Sequence, residues 1–280
     1  MLRELLRWGK AELSSFPSGS TDAEILLSFV LGITRTQLHS QSITLDEVEQ
    51  LRVADEFRDS IEARKSGKPV QYITGEAPFR YLVFDVGPGV LIPRPETEIL
   101  VDEVLHQLQK FDDPISIVDL GSGSGAIAIS LISETAGKRE VHAIAVEKSP
   151  EALTWLHQNI AKFDLPIRVI EADVATALEG IKCDVVVANP PYIPDEETLP
   201  SDVADFEPTI ALRGGVDGMD SPRAFISAAV RLLKPGGLLA LEHHEVQEVA
   251  IREELSDNFR KIKIHYDLSD RPRFTTAFKI

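Results

Sequence analysis

Residues 115–133 read ISIVDLGSGSGAIAISLIS. Six residues, Ile115–Leu120, form a short apolar run with a single carboxylate, Asp119, one place before its end. Gly121, Gly123 and Gly125 follow, and Ala126–Ser133 has the spacing of a buried helix. A strand, a glycine turn and a helix in that order form the opening of a βαβ unit, because glycines let the backbone turn sharply and expose its amides at a helix N-terminus. Gly121, Gly123 and Ala126 also satisfy the G-x-G-x-x-A spacing of a dinucleotide site. Asp119 argues for a different ligand: S-adenosyl-L-methionine carries a cationic sulfonium and amine that tolerate a nearby carboxylate, whereas a pyrophosphate does not. Asp119, Gly121, Ser122, Gly123, Ser124 and Gly125 are therefore candidate cofactor-binding residues.

Downstream, strand and helix patterns alternate. Strands are expected at Val141–Val146, Ile167–Ile170, Asp184–Ala188 and Gly237–Leu241, and two closing strands at Lys261–Tyr266 and Arg273–Lys279. Helices are expected at Pro150–Lys162 and from a Ser221-Pro222 start to Leu233. The pattern predicts an α/β domain of seven strands with a mainly parallel sheet, whose ligands sit at the carboxyl ends of the strands. Glu147 closes the second strand and is placed to accept hydrogen bonds from ribose hydroxyls. Asp173 and Val174 follow the third, where a carboxylate can accept from an adenine amino group and a valine can flank the base.

Asn189-Pro190-Pro191-Tyr192 ends the wholly apolar run Val185-Val186-Val187-Ala188. Two prolines lack N–H groups and have fixed φ, so they stiffen the turn and leave carbonyls free to accept. The Asn189 side-chain oxygen and the Pro190 carbonyl can together take both hydrogens of one NH₂ group, as required where a planar nitrogen must gain sp³ character to attack a methyl. Tyr192 offers an aromatic face for a planar target. Asn189, Pro190 and Tyr192 are the candidate catalytic residues.

Upstream, the first third reads as helices: Leu2–Leu13, then Asp22–Leu31 closed by Gly32, then a helix opened by a Thr44–Glu47 capping box. That last helix is expected to turn Val48, Leu51, Ala54, Phe57 and Ile61 inward and to stop at Gly67-Lys68-Pro69. Tyr81–Val86, Gly87-Pro88-Gly89 and Val90-Leu91-Ile92 read as a hairpin. The organisation expected is a helical bundle over 1–69, a β-hairpin linker over 70–92 and a catalytic domain over 93–280.

Composition narrows the function classes. The 280 residues carry 29 Lys and Arg against 45 Asp and Glu, a formal charge of −16. Residues 91–280 hold most of the excess, 32 acidic against 19 basic residues, which argues against a phosphate-backbone partner. One cysteine, Cys183, excludes an internal disulfide and reads as a small buried hydrophobe. His243 and His244 are adjacent on a strand, point to opposite faces and cannot share one metal. The N-terminus intersperses charges among apolar residues and no stretch is long enough for a membrane span, so a cytoplasmic location is expected.

The pairing of DLGSGSG with NPPY resembles class I S-adenosylmethionine-dependent methyltransferases acting on amide or exocyclic amino nitrogens. Gly75–Phe79 (GEAPF) and Ile92–Glu98 (IPRPETE) are similar to the protein-(glutamine-N5) methyltransferases, the HemK/PrmC family that modifies peptide chain release factors. Asp22-Ala23-Glu24, Pro69–Gly75, Phe206-Glu207-Pro208, Gly218 and Glu242-His243 extend the likeness along the chain, with His244 standing where members commonly carry Gly and Glu147 where Asp is frequent. The resemblance implies a Rossmann-like domain behind a helical substrate-recognition domain, and S-adenosyl-L-methionine as cofactor with S-adenosyl-L-homocysteine as product. It further implies that Asn189–Tyr192, including Pro191, bind the glutamine of a Gly-Gly-Gln motif, with Phe79 and Arg94 walling the same channel. The expected partner is a class I release factor, with no nucleic acid or membrane and a monomeric state. An adenine-N6 nucleic-acid methyltransferase and a ribosomal-protein glutamine methyltransferase are the alternatives, and a nicotinamide oxidoreductase would have no use for the NPPY turn.

Overall fold

Helix α1 (Leu2–Glu12) packs Leu5 into a core shared with Leu26 and Leu27 of α2 (Gly19–Leu31). The chain turns at Gly32 with φ 66°, a left-handed cap that glycine adopts without strain. Helices α3 (Arg35–Ser40), α4 (Glu47–Lys65) and α5 (Val70–Thr74) follow in this computed structural model, which describes residues 1–40 and 43–280. The capping box of α4 sits two residues later than Thr44. The Asp46 carboxylate accepts from the Glu49 amide at 2.9 Å, and the Glu49 carboxylate accepts from the Asp46 amide at 3.1 Å. The buried stripe is Val53, Phe57, Ile61 and Arg64, whereas Val48 and Leu51 are exposed. At 100° per residue, Leu51 lies about 200° from Val53 and cannot share its face.

Buried charge ties this bundle together. The Arg64 guanidinium donates to Asp22 at 2.8 Å, lies over the Phe16 ring and pairs with Asp202 at 3.4 Å. Lys10 and Arg35 donate to Glu24 and hold its carboxyl down to about 2. Asp202 comes from far along the chain. The first compact unit is Met1–Glu76 together with Leu199–Phe206, and the second is Ala77–Thr198 together with Glu207–Ile280. The segment read as a linker, 70–92, is divided between them.

A hairpin comes next, β1 (Glu76–Phe79) and β2 (Leu82–Asp85), whose turn is Arg80-Tyr81 and not the expected Gly87-Pro88-Gly89. Arg80 takes φ 53°, unusual for a side chain of its size, and its guanidinium is held by Glu134, by Asp102 at 2.7 Å and by the Glu98 carbonyl at 3.0 Å. Val90–Ile92 is not a strand; Val90 and Ile92 are buried in an irregular segment that leads to α6 (Pro95–Leu108), a helix the sequence reading passed over.

Then come β3 (Ile115–Leu120), α7 (Ala126–Thr135), β4 (Val141–Glu147), α8 (Pro150–Phe163), β5 (Ile167–Glu171) and β6 (Cys183–Ala188). The chain visits the first unit at α9 (Ser201–Ala204) and returns with α10 (Thr209–Leu212), α11 (Asp220–Leu232), β7 (Leu233–Glu242), α12 (Glu248–Ser256), β8 (Phe259–Tyr266) and β9 (Pro272–Lys279). The start of α11 falls at Asp220, one residue before the expected Ser221.

The sheet has seven strands in the order β5-β4-β3-β6-β7-β9-β8, parallel except for β9, which runs antiparallel to β7 and β8. Val118, Leu120, Val186, Ala188, Leu239 and Leu241 on the central strands pack against Phe225, Ile226 and Ala229 of α11 and Ile251 and Leu255 of α12. Strand order reverses at β3, whose neighbours are β4 and β6. Such a switch point opens a crevice at the carboxyl ends, because the connections leave β3 and β6 in opposite directions. Leu120 is paired with Ala188, so the glycine loop and Asn189 leave adjacent strand ends. Among the described residues no helix is long and apolar enough to cross a membrane.

Candidate active site

A cavity of about 540 Å³ fills that crevice. Gly121, Ser122, Gly123 and Ser124 line it from the β3–α7 loop, Glu147 from the end of β4, Val174 from beyond β5, and Asn189 and Pro191 from beyond β6. Phe79 and Arg94 complete the wall, so ten of the residues picked from the sequence share one space. Its volume lies in the range of small-molecule sites.

The glycine loop is shaped by steric need. Gly121 has φ 67°, and a Cβ there would lie 3.1 Å from the Phe225 ring; at Gly125, with φ 85°, it would meet Leu156 at 2.7 Å and Ile129 at 2.8 Å. Glu147 ties the loop to the end of β4. One carboxylate oxygen accepts from the Gly123 amide at 2.9 Å, and the other accepts from the amides of Lys148 at 2.8 Å and Ser149 at 2.9 Å. A carboxylate has about four acceptor positions, so it can still receive a ligand hydroxyl.

Five of the picked residues are not part of the wall. Gly125 caps α7. Asp119 is buried behind the loop: Oδ2 accepts from the Ala128 amide at 3.2 Å, while Oδ1 has no partner among the described residues. Burial pushes its carboxyl up to about 7, with the Glu147 charge adding to the shift. Asp173 is half exposed, bonded to the Ala175 amide at 2.9 Å and paired with Lys148 at 3.3 Å. Pro190 is buried. Tyr192 turns its hydroxyl inward to donate to Glu242 at 3.0 Å, and its ring lies 6.2 Å from that of His244. The hydrogen bond fixes the hydroxyl end of Tyr192, which is half-buried and lies outside the cavity lining. Burial and the neighbouring Glu242 charge raise its phenol well above 10, so it keeps its proton.

Three residues bear on the site without having been assigned a role from sequence. Thr97 lines the cavity and donates to Glu242 at 2.6 Å, while accepting from Asn189 Nδ2 at 3.3 Å. Glu207 is buried; it accepts from Arg94 at 2.5 Å and from the Ile92 amide at 3.0 Å, which holds Arg94 in the wall. The available signal was a carboxylate, Glu242, ending the apolar run Leu238–Leu241, the same pattern that drew attention to Glu147.

Comparison with known proteins fits this geometry. A model of the PrmC N-terminal domain matches residues 4–75, and one of the methyltransferase small domain matches residues 96–206. A release factor glutamine methyltransferase of Streptomyces coelicolor is 38% identical over 94% of this chain and 92% of its own length. The chain belongs to the release factor glutamine methyltransferase family. A second such methyltransferase, from Moorella thermoacetica, is 39% identical over 92% of this chain and 90% of its own. The solved T. thermophilus 16S rRNA N2 G1207 methyltransferase, in complex with AdoMet and guanosine, shares the fold at 20% identity with a TM-score of 0.53, over 73% of this chain and 50% of that one.

Within this methyltransferase the remaining titratable candidates are occupied. His243 is buried, with one ring nitrogen 2.9 Å from the His244 carbonyl and the other 2.9 Å from the Thr275 hydroxyl. Cys183 is buried, its thiol pushed up to about 12 by desolvation.

Glu242 yields a pH prediction. Burial pushes its carboxyl from 4.5 up to about 7, with the Glu96 charge adding, while the Thr97 and Tyr192 hydrogen bonds and Arg273 oppose it. The folded chain therefore binds a proton that the unfolded chain has released. The stability this proton supplies is full below pH 4.5 and is lost as pH rises to about 7. Unfolding free energies from urea titrations between pH 5 and 7 should fall more steeply for the parent than for Glu242→Gln, the difference approaching about 1.4 kcal/mol per pH unit. Parallel pH dependence in the two proteins would show that Glu242 is not protonated on folding.

Proposed function

We propose that the chain transfers a methyl group from S-adenosyl-L-methionine to the side-chain N5 of the glutamine in the Gly-Gly-Gln motif of class I peptide chain release factors. The observation that carries this reading is the meeting of the glycine loop, Glu147 and Asn189 on one cavity. The residues present suit the cofactor: Glu147 offers an acceptor for a ribose hydroxyl, Val174 an apolar wall for a base, and the glycine loop a close backbone approach. When bound, S-adenosyl-L-methionine supplies an electrophilic methyl on a sulfonium.

An amide nitrogen is a poor nucleophile, so this chain's contribution is placement and charge stabilisation. Asn189 Oδ1, on the cavity wall, accepts one hydrogen of the glutamine NH₂, and the carbonyl of Pro190, a buried residue next to the wall, is assigned the other. As the nitrogen becomes tetrahedral and positive its N–H groups become stronger donors, and these two bonds strengthen with them, which is the differential binding that raises turnover. The methylated nitrogen is acidic and sheds one proton to water. Phe79 and Pro191 supply apolar wall, and Arg94, held by Glu207, sets its edge.

The part of the first unit in this reading is recognition of the protein substrate. Protein interfaces of ordinary size bury about 800 Å² per partner, more than an amide-sized pocket provides. The deciding assay offers labelled cofactor with a release factor, its Gln→Ala variant, a ribosomal protein carrying glutamine, and adenine-containing DNA. Label on the intact factor alone supports the reading; label on DNA, or on the Gln→Ala factor, refutes it. In the same system a short Gly-Gly-Gln peptide is expected to show kcat/KM ~10-fold or more below the intact factor. Hydrogen exchange within residues 1–76 should slow when the factor binds, and unchanged exchange there would remove the first unit from recognition.

A further inference from the structure

Three side chains from three elements meet behind Asn189. Thr97 lies in the first turn of α6, Glu242 at the end of β7, and Asn189 just beyond β6, which pairs with β7 through Ala188 and Leu241. Glu242 and Thr97 are 1% and 4% exposed. Their bonds have a definite polarity. Above pH 7, where Glu242 is ionised, its carboxylate only accepts, so the one hydroxyl proton of Thr97 is spent on Glu242 at 2.6 Å. The Thr97 oxygen can then only accept, and the Asn189 edge that meets it at 3.3 Å is the NH₂. The other Glu242 oxygen accepts from Tyr192 at 3.0 Å, and the Tyr192 carbonyl accepts from Gln247 at 3.0 Å, which anchors the far end.

We propose that Glu242 and Thr97 are positioning residues that set the orientation of the Asn189 amide, turning its carbonyl oxygen toward the acceptor nitrogen. The inference rests on the methyl-transfer reading and specifies how that site distinguishes an amide held for attack from one held in reverse. A planar amide rotated by 180° keeps its shape but exchanges donor for acceptor. Reversed, Asn189 would present NH₂ to the NH₂ of the target, two donors facing each other. Nothing in the shape of the cavity prevents this; the one-way polarity of carboxylate, hydroxyl and amide does.

Thr97→Val keeps the outline of the side chain and removes the hydroxyl, while Thr97→Ser restores it. In the full-length protein at pH 8, where Glu242 is ionised, kcat on the release factor is expected to fall ~10–50-fold in Thr97→Val, with KM for S-adenosyl-L-methionine within twofold of the parent. Thr97→Ser should recover to within ~3-fold. Glu242→Gln can meet Thr97 by either amide edge, so orientation is no longer dictated, and kcat should fall ~3–10-fold with cofactor KM again unchanged. Substrate-free NMR gives an independent reading. The Asn189 side-chain NH₂ signals, assigned by their loss in Asn189→Ala, should exchange with water more slowly in the parent and Thr97→Ser than in Thr97→Val. Equal exchange in all three, or kcat within twofold of the parent in a folded Thr97→Val or Glu242→Gln, overturns the proposal. A parent that shows the slow NH₂ exchange but leaves the release factor unmethylated keeps the relay and refutes the assigned substrate.

Discussion

Asn189→Ala is expected to lower kcat by ~10²–10³-fold, the loss typical when one donor or acceptor aimed at developing charge is removed. Asn189 closes a strand whose four preceding residues are fully buried, so its backbone has little freedom to move. Its side chain lines the cavity shared with the glycine loop, and Thr97 takes its NH₂ edge. Truncation to Ala removes the acceptor without touching the loop or Glu147. Binding of S-adenosyl-L-methionine, measured by titration calorimetry, should therefore change by less than ~3-fold while single-turnover methylation collapses. Near-normal turnover in a folded Asn189→Ala protein would remove Asn189 from the chemistry.

Glu147→Ala is expected to weaken S-adenosyl-L-methionine by ~10–150-fold, equivalent to about 1.5–3 kcal/mol for hydrogen bonds to a charged group. The side chain has two effects that add here. In the proposed site it accepts from a ribose hydroxyl, and it holds the Gly123 amide at 2.9 Å, so its loss also loosens the loop that borders the cavity. Glu147→Asp keeps the charge one methylene further back and should retain much of the affinity. Its shorter reach cannot serve Gly123 and the Lys148 and Ser149 amides together as well as the parent does. Calorimetry showing equal affinity for parent and Glu147→Ala would take Glu147 out of the cofactor site.

The catalytic half was legible because its central strands are buried on both faces and read as unbroken apolar runs. Ile115–Leu120 coincides with β3 residue for residue, and Asn189 lies one residue past β6 as expected. A polar residue at the end of such a run is conspicuous, which is how Glu147 and Asn189 were found. The hairpin was misplaced because Gly-Pro-Gly carries stronger local turn chemistry than Arg80-Tyr81. The true turn depends on Arg80 reaching Glu98, Asp102 and Glu134, contacts that no local pattern records. Helix α12 was missed because only Ile251 and Leu255 are buried, too few for a period to show. Thr97 and Glu242 lie 145 positions apart, and the chemistry they share exists only once the sheet has formed.

The return of Leu199–Phe206 to the first unit bears on how the chain folds as it is made. Helices α1 to α5 leave the ribosome first, yet Asp202, the second acid on Arg64, and Phe206, whose ring lies against Gly67, are synthesised more than a hundred residues later. At about 5–20 residues per second the nascent bundle waits roughly 6–26 s for its last segment. Over that interval Arg64 has Asp22 alone to neutralise it. The Gly67 turn that Phe206 lies against stays uncovered until four strands of the main sheet have been made. Ribosome-bound chains halted before residue 199 should therefore be nicked by protease within α4 and α5 more readily than chains halted after residue 206 has emerged.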